Sequence, residues 1–154
     1  MIVIADTSAI SNLLSIGHER ILYELFGEVL VPPAVERELL EWHQELPSFV
    51  SVLSPGNLAL IASLSSVLDS GETEAIALAV RMGADLLLID ERKGRAEAIR
   101  LGLKTTGLLG VLLEAKRVGL LDHLAIVLDQ LVTVADFRVS AAVRVEFLRL
   151  AGED

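Results

Sequence analysis

Residues 85–102 read "DLLLIDERKGRAEAIRLG". The apolar run Leu86–Ile89 does not alternate with polar residues, so it predicts a strand buried on both faces. Asp90 ends that run. A helix over about Arg92–Leu101 follows, closed by Gly102 as a C-terminal cap. A strand covered on both sides needs helices on both sides, which points to a parallel sheet inside an α/β layer structure.

The rest of the chain repeats this alternation. "IVIA" (residues 2–5) ends on Asp6 and runs into a helical pattern over about Ser8–Phe26. "EVLV" (28–31) leads to Pro32-Pro33 and a helix over about Ala34–Trp42, with proline suited to the first turn. "FVSVL" (49–53) is a candidate strand before Pro55-Gly56. Helical patterns cover about Leu58–Leu68 and Glu72–Met82, ahead of the stretch already quoted. "LKTT" (103–106) predicts a short strand, Leu108–Val118 a helix, and two more helices lie near Asp122–Leu131 and Ser140–Leu150. Strands joined through helices imply right-handed crossovers and a mostly parallel sheet. In such sheets ligands bind beyond the carboxyl ends of the strands, near the point where strand order reverses. Asp6 and Asp90 both stand at such ends.

At 154 residues, without repeats or Gly/Ser linkers, the chain is expected to form one domain over 1–154. Aromatics are only 4 % of residues, so the core must be built from Leu, Val, Ile and Ala. The absence of cysteine removes disulfides, thiolate metal sites and cysteine nucleophiles. No basic region precedes the first apolar run, so no signal peptide is expected. No apolar stretch approaches the roughly 18 residues of a membrane span. A soluble, cytoplasmic protein is the expectation. The net charge of −9 argues against general nucleic-acid affinity. Yet residues 81–117 hold eight of the 13 basic side chains against five acidic ones, a basic region on an acidic body.

The acids have ordinary explanations when taken singly. Asp, Thr and Ser of "DTS" are all good helix N-caps, and Asp90 precedes a helix in the same way. Asp69-Ser70-Gly71-Glu72 has the spacing of a capping box. On the helix after Pro33, Val35, Leu39 and Trp42 mark the buried stripe. Glu36 and Glu38 flank it about equally, and Glu41 points to solvent. Capping, however, does not require carboxylates at neighbouring strand ends.

In order and spacing these segments resemble the PIN-domain family, in particular its VapC-like branch of metal-dependent ribonucleases. "IADTSAI" resembles the family's opening strand, whose aspartate falls on Asp6. "VPPAVERELL" resembles its second motif, which selects Glu38. "LDSGETEAIALAVRMGADLLLIDE" resembles the third and fourth, and places the remaining acids on Glu72 and Asp90. Many relatives carry aspartate where Glu72 stands. The "GExE" form suggests a subgroup in which Glu74 could be a partner, with Arg95 at a recurring arginine position. The resemblance implies a three-layer α/β/α sandwich with a central, mostly parallel twisted sheet of four to five strands. It also implies an endoribonuclease, the toxin of a toxin–antitoxin pair.

Crowded carboxylates repel one another, and a hard dication with oxygen ligands relieves that repulsion. Mg²⁺ or Mn²⁺ is therefore expected on Asp6, Glu72 and Asp90, with Glu38 joining them in catalysis. Arg92, Lys93 and Arg95 are the expected contacts to RNA phosphates. Thr7 and Ser8 are better placed as caps than as site hydroxyls. His18, His43 and His123 lie away from the strand ends. No aromatic stacking platform is evident, since Trp42 and Tyr23 sit on helical patterns. The Leu-rich region "LLGVLLEAKRVGLLDHLAIVLDQL" (108–131) suggests burial against a second subunit, as a homodimer, or against an antitoxin. The competing reading is a PIN-like regulatory or protein-binding module with little or no nuclease activity. A haloacid-dehalogenase-type phosphatase would want a second aspartate where Ser8 stands.

Overall fold

The computed structural model describes residues 1–154. Five parallel strands form one sheet in the order β3-β2-β1-β4-β5. They are β1 (Val3–Ala5), β2 (Val29–Val31), β3 (Val50–Val52), β4 (Leu86–Leu88) and β5 (Thr105–Thr106). The helices are α1 (Thr7–Ser15), α2 (Arg20–Phe26), α3 (Pro33–Trp42), α4 (Leu58–Leu64), α5 (Ser70–Met82), α6 (Arg92–Arg100), α7 (Leu108–Arg117), α8 (Leu124–Val134) and α9 (Ala141–Leu150). The result is a three-layer α/β/α sandwich, as the alternation predicted.

Side chains of β1 and β4 divide between two cores, as the two-residue period of a strand requires. Val3, Ala5 and Leu88 join the larger core with residues of α1, α2, α3, α7, α8 and α9. Ile4, Leu87 and Ile89 join the smaller one with α4, α5 and α6. Leu87 and Leu88 are fully buried, in agreement with the non-alternating run. Strand order reverses between β1 and β4, paired at Val3–Leu86, Ile4–Leu87 and Ala5–Leu88. The switch point is therefore flanked by the residues that follow these strands, Asp6 and Asp90.

Three local expectations need correction. The helix expected over Ser8–Phe26 is two helices, broken after Ile16 where Gly17 turns the chain with φ +74°. Helix α5 starts at Ser70, because the Asp69 carboxylate caps it there. The stripe on α3 holds for Val35 and Leu39, both fully buried, but Trp42 is 78 % exposed. Helical phase placed Trp42 on the buried side; the last turn of α3 projects beyond the core it packs on. No helix is long and apolar enough to cross a membrane.

Candidate functional site

Helices α1, α3, α6 and α7 directly follow β1, β2, β4 and β5 and so begin at the carboxyl end of the parallel sheet. With α5 they carry the polar groups around the switch point. Asp6 occupies the N-cap position of α1 with extended backbone, and its N–H bonds Leu88 O at 2.9 Å, tying the ends of β1 and β4 together. Its carboxylate makes no capping hydrogen bond. The simplest structural explanation for this aspartate therefore fails. It is only 6 % exposed, and its pKa is pushed up to about 7. Burial is the largest cause; the nearby carboxylates of Asp69, Glu72 and Glu38 add to it, partly offset by the Thr7 N–H.

Glu72 plays two parts. The capping box is formed, with Glu72 N donating to Asp69 Oδ1 at 2.8 Å and Asp69 N donating to Glu72 Oε2 at 3.3 Å. The same carboxyl is pushed upward by burial and by the charges of Asp69, Glu91 and Glu38, against the pull of the Asp69 N–H. Asp69 thus belongs to the acidic group, although its spacing marked it only as a cap. Glu38 accepts a short hydrogen bond from Thr7 Oγ1. This contact separates Glu38 from Glu36, which helical phase left equivalent, and gives the Thr7 hydroxyl a role other than capping.

Asp90 stands slightly apart. Continuing the Ala5–Leu88 register sets Asp6 level with Ile89, so Asp90 lies one residue beyond the level of Asp6, on the next pleat. Asp90 Oδ1 accepts from Leu108 N, the first residue of α7, at 3.0 Å. Oδ2 is buried with no hydrogen-bond partner. Burial raises its pKa, opposed by the Leu108 N–H and by the Arg95 guanidinium. Two glycines make these approaches possible. A Cβ at Gly71 would lie 2.5 Å from Glu38 Oε1, and one at Gly107 would collide with Asp90 Oδ1.

Asp6, Glu38, Asp69 and Glu72 are thus brought together, with Asp90 on the neighbouring strand end. In donor type and charge these residues fit a hard divalent ion, and the orphaned Asp90 oxygen adds to that fit. As hydrogen-bonded here they are not a formed ligand shell, and no group of three His, Asp or Glu side chains is gathered to hold an ion. Glu38 is engaged by Thr7, Glu72 by Asp69 and Asp90 by Leu108.

Arg92, Lys93 and Arg95 project from the first turn of α6, exposed and outside every ion pair of the chain. Of the other five basic residues of the 81–117 region, four are occupied and Lys104 makes no ion pair. Arg81 bonds Ser54 O, Arg100 pairs with Glu97, Arg117 with Glu114, and Lys116 with Glu153. Glu74 is not part of the acidic group: Oε1 accepts from Ala34 N at 3.0 Å, and Oε2 lies 3.8 Å from Arg37. It caps the first turn of α3, and so docks the helix carrying Glu38 onto the helix carrying Glu72.

A parallel α/β/α sandwich with acids clustered where strand order reverses defines a class of acidic-site α/β proteins. Residues 2–153 match a family described as a PIN domain (DUF3368), and the chain belongs to the PIN-domain family. A nuclease-type function follows at that general level. No curated protein matches the chain.

Proposed function

We propose that the protein is a divalent-metal-dependent endoribonuclease, the toxin of a VapC-like toxin–antitoxin pair. The observation that carries this reading is Asp6, a carboxylate that makes no capping hydrogen bond and whose pKa is raised to about 7, first by burial and further by the charges of Asp69, Glu72 and Glu38. Such repulsion serves no structural purpose; it suits a site completed by a cation. Asp6, Glu72 and Asp90 would hold Mg²⁺ or Mn²⁺, with Glu72 and Asp90 exchanging their present hydrogen bonds for ion contacts. The ion would neutralise the phosphoryl oxygens and activate the attacking water. Glu38, positioned by Thr7 and Gly71, borders the same acids and would orient that water. Arg92, Lys93 and Arg95 would draw the RNA phosphates to the strand ends against the acidic body.

The test is RNA cleavage by the purified protein in Mg²⁺ or Mn²⁺. Cleavage should vanish on chelation and in Asp6→Asn; cleavage that survives both rejects the assignment. A homodimer or an antitoxin partner belongs to the same proposal. Exposed Ile126, Val132, Val134, Val143, Val145 and Leu150 on α8 and α9 support it. A monomer by light scattering at micromolar concentration would reject the homodimer. The second reading, a PIN-like binding module without nuclease activity, is favoured by the net charge of −9 and by the hydrogen-bonded state of three of the acids. Such a module would take up no divalent ion.

A further inference from the structure

Helices α1 and α3 are linked by two successive polar contacts. The first is Thr7–Glu38, at the acidic group. The second, one turn further along α1, is Ser11–His43, with Oγ and Nε2 2.9 Å apart. At 1.5 Å per residue the second contact lies about 6 Å beyond the first along α1. There a cavity of about 460 Å³ opens between α1, the end of α3 and the end of α8. Trp42, the only tryptophan of the chain, lines it with 78 % of its surface exposed, beside Ser11, Asn12, Ser15, His43 and Asp136.

We propose that this cavity is a subsite for one unpaired base of a single-stranded RNA whose backbone passes the acidic group. The proposal rests on the ribonuclease reading. A flat indole left in water beside a polar cavity is a stacking surface for a base, and such stacking tolerates any sequence. The lining supplies hydroxyls, an amide, an imidazole and a carboxylate, which suit the donors and acceptors of a base edge. It contains no Lys or Arg, so it does not suit a phosphate; the phosphates are left to Arg92, Lys93 and Arg95. Continuity with the Thr7–Glu38 contact puts the stacked base next to the reacting phosphodiester. A protein partner would also cover an exposed tryptophan; Val134 and Ala135 add an apolar edge, but the other five residues beside the indole present polar groups, which favours the base.

Because Trp42 is the sole indole, its fluorescence reports on this cavity alone. Asp6→Asn protein in Mg²⁺, titrated with a ten-nucleotide single-stranded RNA, should show saturable quenching, and a blunt RNA duplex should not. Trp42→Ala should weaken binding of a dye-labelled copy of that RNA about tenfold by anisotropy, with Trp42→Phe recovering most of the loss. In the wild-type background, Trp42→Ala should raise KM and leave kcat nearly unchanged. Binding without quenching, or equal affinity of Trp42→Ala, overturns the subsite. So does an emission spectrum that shifts with protein concentration alone, which would mean a second copy covers the indole. Quenching and weakened Trp42→Ala binding without metal-dependent cleavage would uphold the subsite and reject the nuclease. Metal-dependent cleavage with an unchanged KM in Trp42→Ala would do the reverse.

Discussion

Two carboxylates near helix N-termini are treated in opposite ways by this fold. Glu153, in the C-terminal tail, accepts from Lys116 Nζ at 2.7 Å, Leu124 N at 2.8 Å and Ala125 N at 3.0 Å. Burial alone would raise its pKa, but the Lys116 ammonium and the two N–H groups outweigh that and hold it at about 2. Asp6 stands at a helix start too, yet caps nothing, faces three acids and is held at about 7. Glu153 is arranged for stability. Asp6 is arranged at the expense of stability, and that contrast is what marks a functional site.

The largest effect should come from Asp6→Asn on RNA cleavage. Losing one ligand charge from a metal site should lower kcat at least about 100-fold, equivalent to about 3 kcal/mol. The same substitution should act on stability with the opposite sign. A folded pKa of about 7 lies above the ordinary 3.8, so the Asp6 contribution is present below pH 3.8 and lost as pH rises through about 7. Metal-free Asp6→Asn should therefore unfold later than wild type at pH 8, by on the order of 2–4 kcal/mol, and the gain should vanish near pH 4. Denaturant melts across that pH range measure it. An Asn that destabilises at pH 8 would break the contrast.

Glu153→Gln should do the reverse, with no effect on cleavage. Removing the charge at the start of α8 and its ion pair should lower stability by about 1–2 kcal/mol, a drop in Tm of roughly 5 °C. Because its folded pKa is depressed, the Glu153 contribution is present above the ordinary 4.5 and lost as pH falls toward about 2. The wild-type advantage over Glu153→Gln should close in acid. Smaller again is Gly71→Ala, whose Cβ would force Glu38 off Thr7. Cleavage should fall about tenfold with little change in Tm, since alanine suits a helix interior. The smallest effect should be Lys93→Ala, which should raise KM a few-fold and flatten the dependence of RNA affinity on salt by about one phosphate contact.

The architecture was legible because each strand announced itself by a short apolar run and each helix by its period. Asp6 and Asp90 were legible as strand ends, and the Asp69–Glu72 box by its spacing. Glu38 was not separable from Glu36 by phase; its partner, Thr7, lies 31 residues away in sequence. Only the family resemblance selected it. Trp42 was misplaced for a related reason, since phase gives the angle around a helix axis and not how far the helix outruns its neighbours. Glu74 and Glu153 act by capping helices distant in sequence, which no local pattern encodes. The break at Gly17 did carry a signal, a glycine ending a helical run, and it was there to be read.

Calorimetric titration of Mn²⁺ into wild type and Asp6→Asn near pH 6.5, repeated in two buffers of different ionisation enthalpy, addresses the acidic group most directly. The account predicts saturable uptake by the wild type with release of a fraction of a proton, because Asp6 must ionise to bind, and loss of both in Asp6→Asn. No saturable uptake at millimolar Mn²⁺, or identical uptake in the two proteins, would contradict it.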